Sequence, residues 1–215
     1  MKTNARLLPL LGAVLITAAA CREGAEVPPQ STPATAAADF GYVTGLESAP
    51  VTVIEYSDFG CPYCAQFALR TYPELHTEFV LSGQVRWIYV PFVIGRFPNG
   101  GSAALAGECA GEQGRFWSMH DLLFAHQAEW RREAPADELF AQLADSAGAD
   151  VPRFQECYRE NRPAERIRMH NDLARGAQVR GTPSFRIDGR VVEGALPIEQ
   201  FRNVLQYAVL SSGQR

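Results

Sequence analysis

Three stretches of the chain have the apolar, β-branched and aromatic composition of sheet strands. The first spans residues 51–56, the second spans 84–90 and ends before Pro91, and the third spans 184–187. The first contains no Gly or Pro, as expected of a strand inside a sheet. A shorter run at 40–44 predicts an edge strand. The third stretch is followed by an Asp-Gly turn and a further strand at 190–193, which together predict a hairpin.

Apolar residues at helical spacing occupy most of the chain between and after these strands. Residues 65–79 predict a helix between the first two strands, which makes a strand–helix–strand unit with parallel strands. The block before the third strand contains no convincing strand of its own. Its predicted helical segments are 101–114, 116–130, 135–147, 151–159 and 163–179. An amphipathic helix at 197–210 follows the hairpin. The pattern predicts an α/β fold with a helical insertion.

Composition narrows the class of protein only slightly. The chain has 215 residues, of which 47% are hydrophobic, and this is enough for a sizeable core. The net charge of −4 gives no basis for nucleic-acid binding.

The N-terminus has the pattern of an export signal. Lys2 and Arg6 precede an apolar run at 7–20 that ends in three alanines. This run of about 14 residues is shorter than the roughly 20 that span a bilayer. We expect a signal peptide at 1–20, with an N-terminal membrane anchor as the alternative.

Cys21 directly follows these small residues, as in a bacterial lipoprotein cleavage site, although Ala18 stands where Leu is more usual. We therefore expect a lipidated Cys21; the alternative is ordinary cleavage that leaves Cys21 free or removes it. The polar, Pro- and Ala-rich segment 21–38 predicts a disordered tether. Export would place the protein in the periplasm or cell envelope, where disulfides persist.

Two cysteines stand where the first strand meets the first helix, in the sequence Cys61-Pro62-Tyr63-Cys64. Pro62 suits the first helical turn, because its missing N–H would be unpaired there. Cys61 is then expected at the helix N-terminus, where the helix dipole and free N–H groups stabilise a thiolate. Cysteine pKa values at such sites fall to roughly 3.5–7.5.

Glu55 interrupts the apolar strand six residues before Cys61. A central strand of a mixed sheet is covered on both faces, so an acid there is unfavourable unless it has a role. We interpret Glu55 as a buried carboxyl of raised pKa that exchanges a proton with Cys64. The alternative is an edge-strand acid that points to solvent.

A Cys-x-x-Cys motif beside a strand–helix–strand unit indicates a thioredoxin-like redox site, although it also occurs as half of a zinc site. Structural zinc requires four ligands. The remaining cysteines are placed singly, and the histidines form no local metal signature. We therefore expect neither a metal nor another cofactor.

The chain resembles the DsbA-type thiol:disulfide oxidoreductases of the thioredoxin superfamily. The resemblance rests on the strand that leads into Cys61–Cys64, on the segment 108–124, and on the Gly-Thr-Pro-Ser-Phe motif at 181–185. It covers roughly residues 40–207. It implies a thioredoxin fold, with a mixed central sheet flanked by helices and an inserted helical subdomain. The implied thioredoxin-fold domain comprises 39–95 and 180–212, and the insertion comprises 96–179.

The resemblance also implies roles for individual residues. Cys61 would be the nucleophilic thiol, Cys64 the resolving thiol, and Pro183 a cis-proline facing the disulfide. Thr182 would help to set the environment of Cys61, and Glu55 matches the buried acid of the family. Residues 181–183 would otherwise be a plain loop before a strand.

Cys109 and Cys157 both fall in the helical insertion. In an exported protein they are expected to form a structural disulfide, with two buried free thiols as the alternative.

The sequence thus predicts an exported enzyme that exchanges disulfides with cysteine-containing exported proteins and is recycled by a redox partner. We favour oxidase-type disulfide formation, with isomerase and reductase activity as alternatives. A competing hypothesis is a non-catalytic, membrane-tethered protein that binds a peptide or a copper ion with the same fold.

Overall fold

A computed structural model of the chain describes residue 1 and residues 41–132 and 135–213. The expected signal peptide at 1–20, the tether at 21–38 with Cys21, and the start of the strand expected at 40–44 lie outside the described residues. No helix in the described part of the chain is long and apolar enough to cross a membrane.

The strands of the described residues form one mixed five-stranded sheet in the order β1-β3-β2-β4-β5. The strands are β1 Tyr42–Thr44, β2 Val51–Ser57, β3 Val85–Pro91, β4 Ser184–Ile187 and β5 Arg190–Glu193. β2 pairs with β3 in parallel and with β4 antiparallel, so β2 is the central strand. The predicted hairpin strands at 184–187 and 190–193 are confirmed.

The helical stretch after β2 begins at Pro62, as expected from the positions of Cys61 and Pro62, but it is less regular than predicted. Helix α1 spans Pro62–Gln66, with Cys61 at its N-cap position, and α2 spans Tyr72–Leu75. A π-helical turn follows each of them, at Phe67–Thr71 and His76–Val80. The prediction of one regular helix at 65–79 was therefore wrong in detail, although the segment is helical throughout.

The chain between β3 and β4 is helical where it has regular structure. Its helices are α3 Gly100–Gly111, α4 Phe116–Ala125, α5 Gln127–Trp130, α6 Asp137–Ser146, α7 Val151–Arg159 and α8 Ala164–Gly176. The single helix expected at 116–130 is interrupted at His126, whose backbone leaves the helical region with φ −99° and ψ 15°. The segment expected at 163–179 ends three residues early. Helix α9, Ile198–Ser212, follows the hairpin.

Helices cover both faces of the sheet. On one face, Val53 and Trp87 pack with Phe67 and with Phe201 of α9. On the other face, Ile54 and Ile88 pack with residues at the end of α8. A separate apolar cluster lies within the insertion and extends to Phe59, Cys61 and Cys64. The expected fold, a mixed sheet flanked by helices with a helical insertion, is confirmed.

Candidate active site

Cys61 and Cys64 lie at the start of α1, directly beyond the central strand, and both are free thiols in this structure. Cys61 is 2% exposed and Cys64 is fully buried. In its protonated form the Cys61 thiol donates a hydrogen bond to the Thr182 carbonyl oxygen at 3.3 Å. This contact joins two segments that lie 121 residues apart in the sequence.

The pKa values of the two thiols are shifted in opposite directions. Hydrogen bonding by Cys64, supported by the Thr182 side chain and the amides of Tyr63 and Cys64, lowers the pKa of Cys61 to about 6 against the opposing effect of burial. Burial raises the pKa of the Cys64 thiol, and the neighbouring Cys61 raises it further. At neutral pH Cys61 is therefore the thiolate and Cys64 holds its proton, as a nucleophile and a resolving thiol require.

The peptide bond between Thr182 and Pro183 is cis. Pro183 is buried, and its carbonyl oxygen accepts a hydrogen bond from Gly194 N at 2.8 Å, which connects the loop to the residue that follows β5. The expected site residues Cys61, Thr182 and Pro183 therefore lie together at one end of the central strands.

Glu55 lies on the central strand and is 2% exposed, so the alternative of an edge-strand acid is excluded. Its Oε2 accepts a hydrogen bond from Trp87 Nε1 at 2.9 Å. Burial raises the pKa of Glu55 to about 7, while the Trp87 hydrogen bond and the nearby Ser57 hydroxyl act in the opposite direction. Because this pKa lies near neutrality, Glu55 can both accept and release a proton under physiological conditions.

Cys109 and Cys157 are joined by a disulfide that links α3 to α7 within the insertion. They are therefore not the two free thiols of the alternative interpretation. The pair is separate from the Cys61–Cys64 site.

Two side chains that the sequence interpretation missed hold the active-site loop in place. The Gln127 side-chain amide donates to the carbonyl oxygens of Phe59 and Cys61 at 2.6 and 2.9 Å. The Asp58 carboxylate accepts hydrogen bonds from Gly60 N at 2.8 Å and Ile94 N at 2.9 Å. Asp58 could have been noticed as an acid within the apolar strand end, whereas nothing in the sequence distinguishes Gln127.

Among residues 41–132 and 135–213, no group of three or more His, Cys, Asp or Glu side chains is placed to hold a metal ion.

The fold and the cysteine pair together define a thioredoxin-fold protein with an inserted helical subdomain. A family model described as Thioredoxin matches residues 38–207, and the chain belongs to that family. Its resemblance to the DsbA-type thiol:disulfide oxidoreductases is confirmed.

Among curated proteins, the chain is 41% identical over 177 residues to the Na(+)/H(+) antiporter NhaA 3 of Salinispora tropica, covering 82% of the chain and 26% of that protein. The chain thus spans about a quarter of the length of the antiporters it matches. It is 27% identical over 169 residues to disulfide bond formation protein D of Bacillus subtilis, covering 76% and 75% of the two chains.

The crystal structure of oxidised BdbD from Bacillus subtilis superimposes with a TM-score of 0.73 at 24% identity. The match covers 80% of this chain and 94% of that one. At this identity the likeness shows the fold.

Proposed function

We propose that this protein catalyses thiol–disulfide exchange with cysteine-containing proteins through Cys61 and Cys64, and that it acts in the oxidising direction. The observation that carries the proposal is the placement of the two free thiols at the start of α1, with Cys61 against Thr182 and the cis-proline Pro183. A depressed pKa at Cys61 stabilises the reduced form, which makes the Cys61–Cys64 disulfide more oxidising.

In the oxidising direction, a substrate thiolate attacks Cys61 of the enzyme disulfide and Cys64 leaves as a thiolate. A second substrate thiolate then attacks the mixed disulfide, so that the substrate gains a disulfide and the enzyme is left as a dithiol. Thr182 and Pro183 lie beside Cys61, where an extended substrate segment would pass. A redox partner must then remove two electrons from the enzyme.

Export and envelope attachment are part of the same proposal. They rest on the signal-like residues 1–20 and on Cys21, and the relatedness to a disulfide bond formation protein is consistent with them. The domain limits 39–95, 96–179 and 180–212 likewise stay predictions.

The test is the equilibrium reduction potential of Cys61–Cys64, measured against glutathione in a Cys109→Ala/Cys157→Ala background. The lowered pKa of Cys61 stabilises the reduced form, so we expect a potential above the roughly −270 mV of thioredoxin, displaced towards the roughly −120 mV of DsbA. A value near about −270 mV would assign the enzyme to the reductases.

A matched pair of variants tests catalysis itself. Cys61→Ser should abolish exchange and leave the fold intact, because the nucleophile is lost. Cys64→Ser should keep the first attack but trap the mixed disulfide. If Cys61→Ser retains exchange, the protein is not an oxidoreductase of this kind, and the peptide- or copper-binding alternative takes its place.

A further inference from the structure

A cluster of buried polar side chains lies behind the resolving thiol. Glu55 and Ser57 are two residues apart on β2, so their side chains point to the same face of the sheet. Tyr89 of β3 is the register partner of Glu55. Glu55 is 2% exposed, and Ser57, Tyr89 and Cys64 are fully buried. The catalytic thiol Cys64 therefore shares a water-poor environment with one carboxyl and two hydroxyl groups.

Three oxygens of this cluster have no hydrogen-bond partner of regular geometry among the described residues. They are Glu55 Oε1, Ser57 Oγ and Tyr89 OH. The other carboxyl oxygen, Glu55 Oε2, is engaged by Trp87. Buried polar atoms are nearly always paired, so three unpaired ones together beside a reactive thiol require an explanation. A proton-transfer site provides one, because its groups must be free to exchange partners.

Ser57 is the member of the cluster whose side chain lies near Glu55, Cys64 and Tyr89 alike. Its hydroxyl is close enough to lower the pKa of Glu55, of Cys64 and of Tyr89, although none of these contacts has regular hydrogen-bond geometry. The two groups that must exchange a proton are thus connected through Ser57.

We propose that the Ser57 hydroxyl relays a proton between the Cys64 thiol and the Glu55 carboxyl. The inference rests on the proposed function and adds a third residue to its chemistry. A serine hydroxyl suits the role, because it can donate one hydrogen bond and accept another at the same time.

Each direction of exchange uses the relay once. When the enzyme disulfide is attacked, the Cys61–Cys64 bond breaks, Cys64 takes the electron pair, Ser57 gives it a proton, and Glu55–COOH restores the proton of Ser57. When Cys64 attacks a Cys61 mixed disulfide, the Cys64 proton passes to Ser57 while the Ser57 proton passes to the Glu55 carboxylate. The substrate sulfur departs with the electrons of the broken bond.

Other titratable groups face this cluster from the elements packed around it. Those that contact a member of the cluster or interact electrostatically with one are Asp58, Cys61, Tyr72 and His120. Tyr89 has a pKa raised by burial and stays protonated. Burial lowers the pKa of His120 and disfavours its charged form. Neither Tyr89 nor His120 is therefore a suitable base for the Cys64 proton at neutral pH.

The experiment separates the two steps of oxidation of the reduced protein by oxidised glutathione. Acid quenching and mass spectrometry follow formation and then decay of the Cys61–glutathione mixed disulfide. In Ser57→Ala the first step should stay within about twofold, whereas decay should slow about tenfold or more near neutral pH. The difference should shrink towards about pH 9, where hydroxide can deprotonate Cys64 directly. Ser57→Thr keeps a hydroxyl and should restore most of the rate.

Tyr56→Phe is the matched control, because it removes a buried hydroxyl from the same strand on the opposite face. It should leave the decay and its pH profile unchanged. The relay is wrong if Ser57→Ala decays like the wild type between about pH 5 and 8, or if Tyr89→Phe reproduces the whole loss. Failure of the wild type to exchange at all would instead refute the proposed function.

A measurement on the wild type covers the case in which Ser57→Ala does not fold. The decay rate is measured in mixtures of H₂O and D₂O. A relay moves two protons in one step and predicts a curved dependence on the deuterium fraction. A linear dependence means that a single proton moves, and overturns the relay.

Discussion

At the scale of single residues, burial makes Glu55 a carboxyl group of unusual acidity. Its pKa is raised from 4.5 to about 7, so the folded protein holds a proton that the unfolded chain releases over that interval. The resulting stability is fully present below pH 4.5 and is lost as the pH rises to about 7.

Glu55→Gln removes this titration. In the reduced protein, the stability of the variant relative to the wild type should rise by about 2.5 kcal/mol when the pH is raised from about 5 to about 8. Urea unfolding at the two pH values measures the change. Glu47→Gln, at an exposed position, is the control and should show no comparable gain. Parallel pH–stability curves for Glu55→Gln and the wild type would show that Glu55 titrates normally.

Some functional residues of the site could be predicted from the sequence, and others could not. Cys61, Cys64 and Glu55 are conspicuous because thiols and an acid stand in an otherwise apolar strand–helix junction. Ser57 and Gln127 are not, because a hydroxyl or an amide is common at such positions. Their importance comes from contacts with segments that the local pattern does not connect.

At the scale of elements, the insertion is held by the Cys109–Cys157 disulfide between α3 and α7, which closes a loop of 48 residues. Cys109→Ala/Cys157→Ala should lower the free energy of unfolding by about 2–4 kcal/mol, since the unfolded chain loses its cross-link. Urea unfolding measures this loss.

Exchange through Cys61 should persist in that double variant, because Cys61 and Cys64 are not cross-linked to Cys109 or Cys157. Mass spectrometry of the oxidised wild type, with and without reductant, should count two disulfides. Alkylation of Cys109 in the oxidised protein would contradict the pairing.

The ends of elements were predictable where a local signal marks them. Val151–Arg159 begins as expected, because the Asp150 side chain accepts from Arg153 N and Pro152 occupies the first turn. The break at His126 was not predictable. The break lets Gln127 of α5 donate hydrogen bonds to the carbonyl oxygens of Phe59 and Cys61. A tertiary contact of this kind can interrupt a helix even where the apolar residues continue at helical spacing.

At the scale of the whole molecule, a buried polar network connects the sheet edge to the insertion. Tyr42 of β1 donates to Glu108 Oε2 of α3 at 2.7 Å, and Arg166 of α8 contacts the same oxygen at 2.8 Å. A Cβ at position 111 would collide with the Tyr42 hydroxyl, so only Gly111 permits this approach. Three separate segments therefore meet at one carboxyl group.

Tyr42→Phe should destabilise the protein by about 2 kcal/mol, because it removes a hydrogen bond to a charged group and leaves the ring contacts. Burial raises the pKa of Glu108 to about 7, so the loss should be larger at about pH 8.5, where the carboxylate is ionised, than at about pH 6. Thermal or urea unfolding at both pH values measures it.

Tyr207→Phe, at an exposed position of α9, is the control for the same chemical change. An equal loss in the two variants would show that the Tyr42–Glu108 contact contributes nothing of its own.

The contact of Cys61 with Thr182 across 121 residues has a consequence for biosynthesis. A ribosome completes both reactive cysteines long before it makes the segment that lies against Cys61 or the strand that pairs with β2. Long-range pairing of this kind forms slowly and late in folding. The growing chain therefore contains both thiols before the Thr182 segment and β4 have been made. The lowered pKa of Cys61 can arise only after that last part of the domain has been synthesised and has folded.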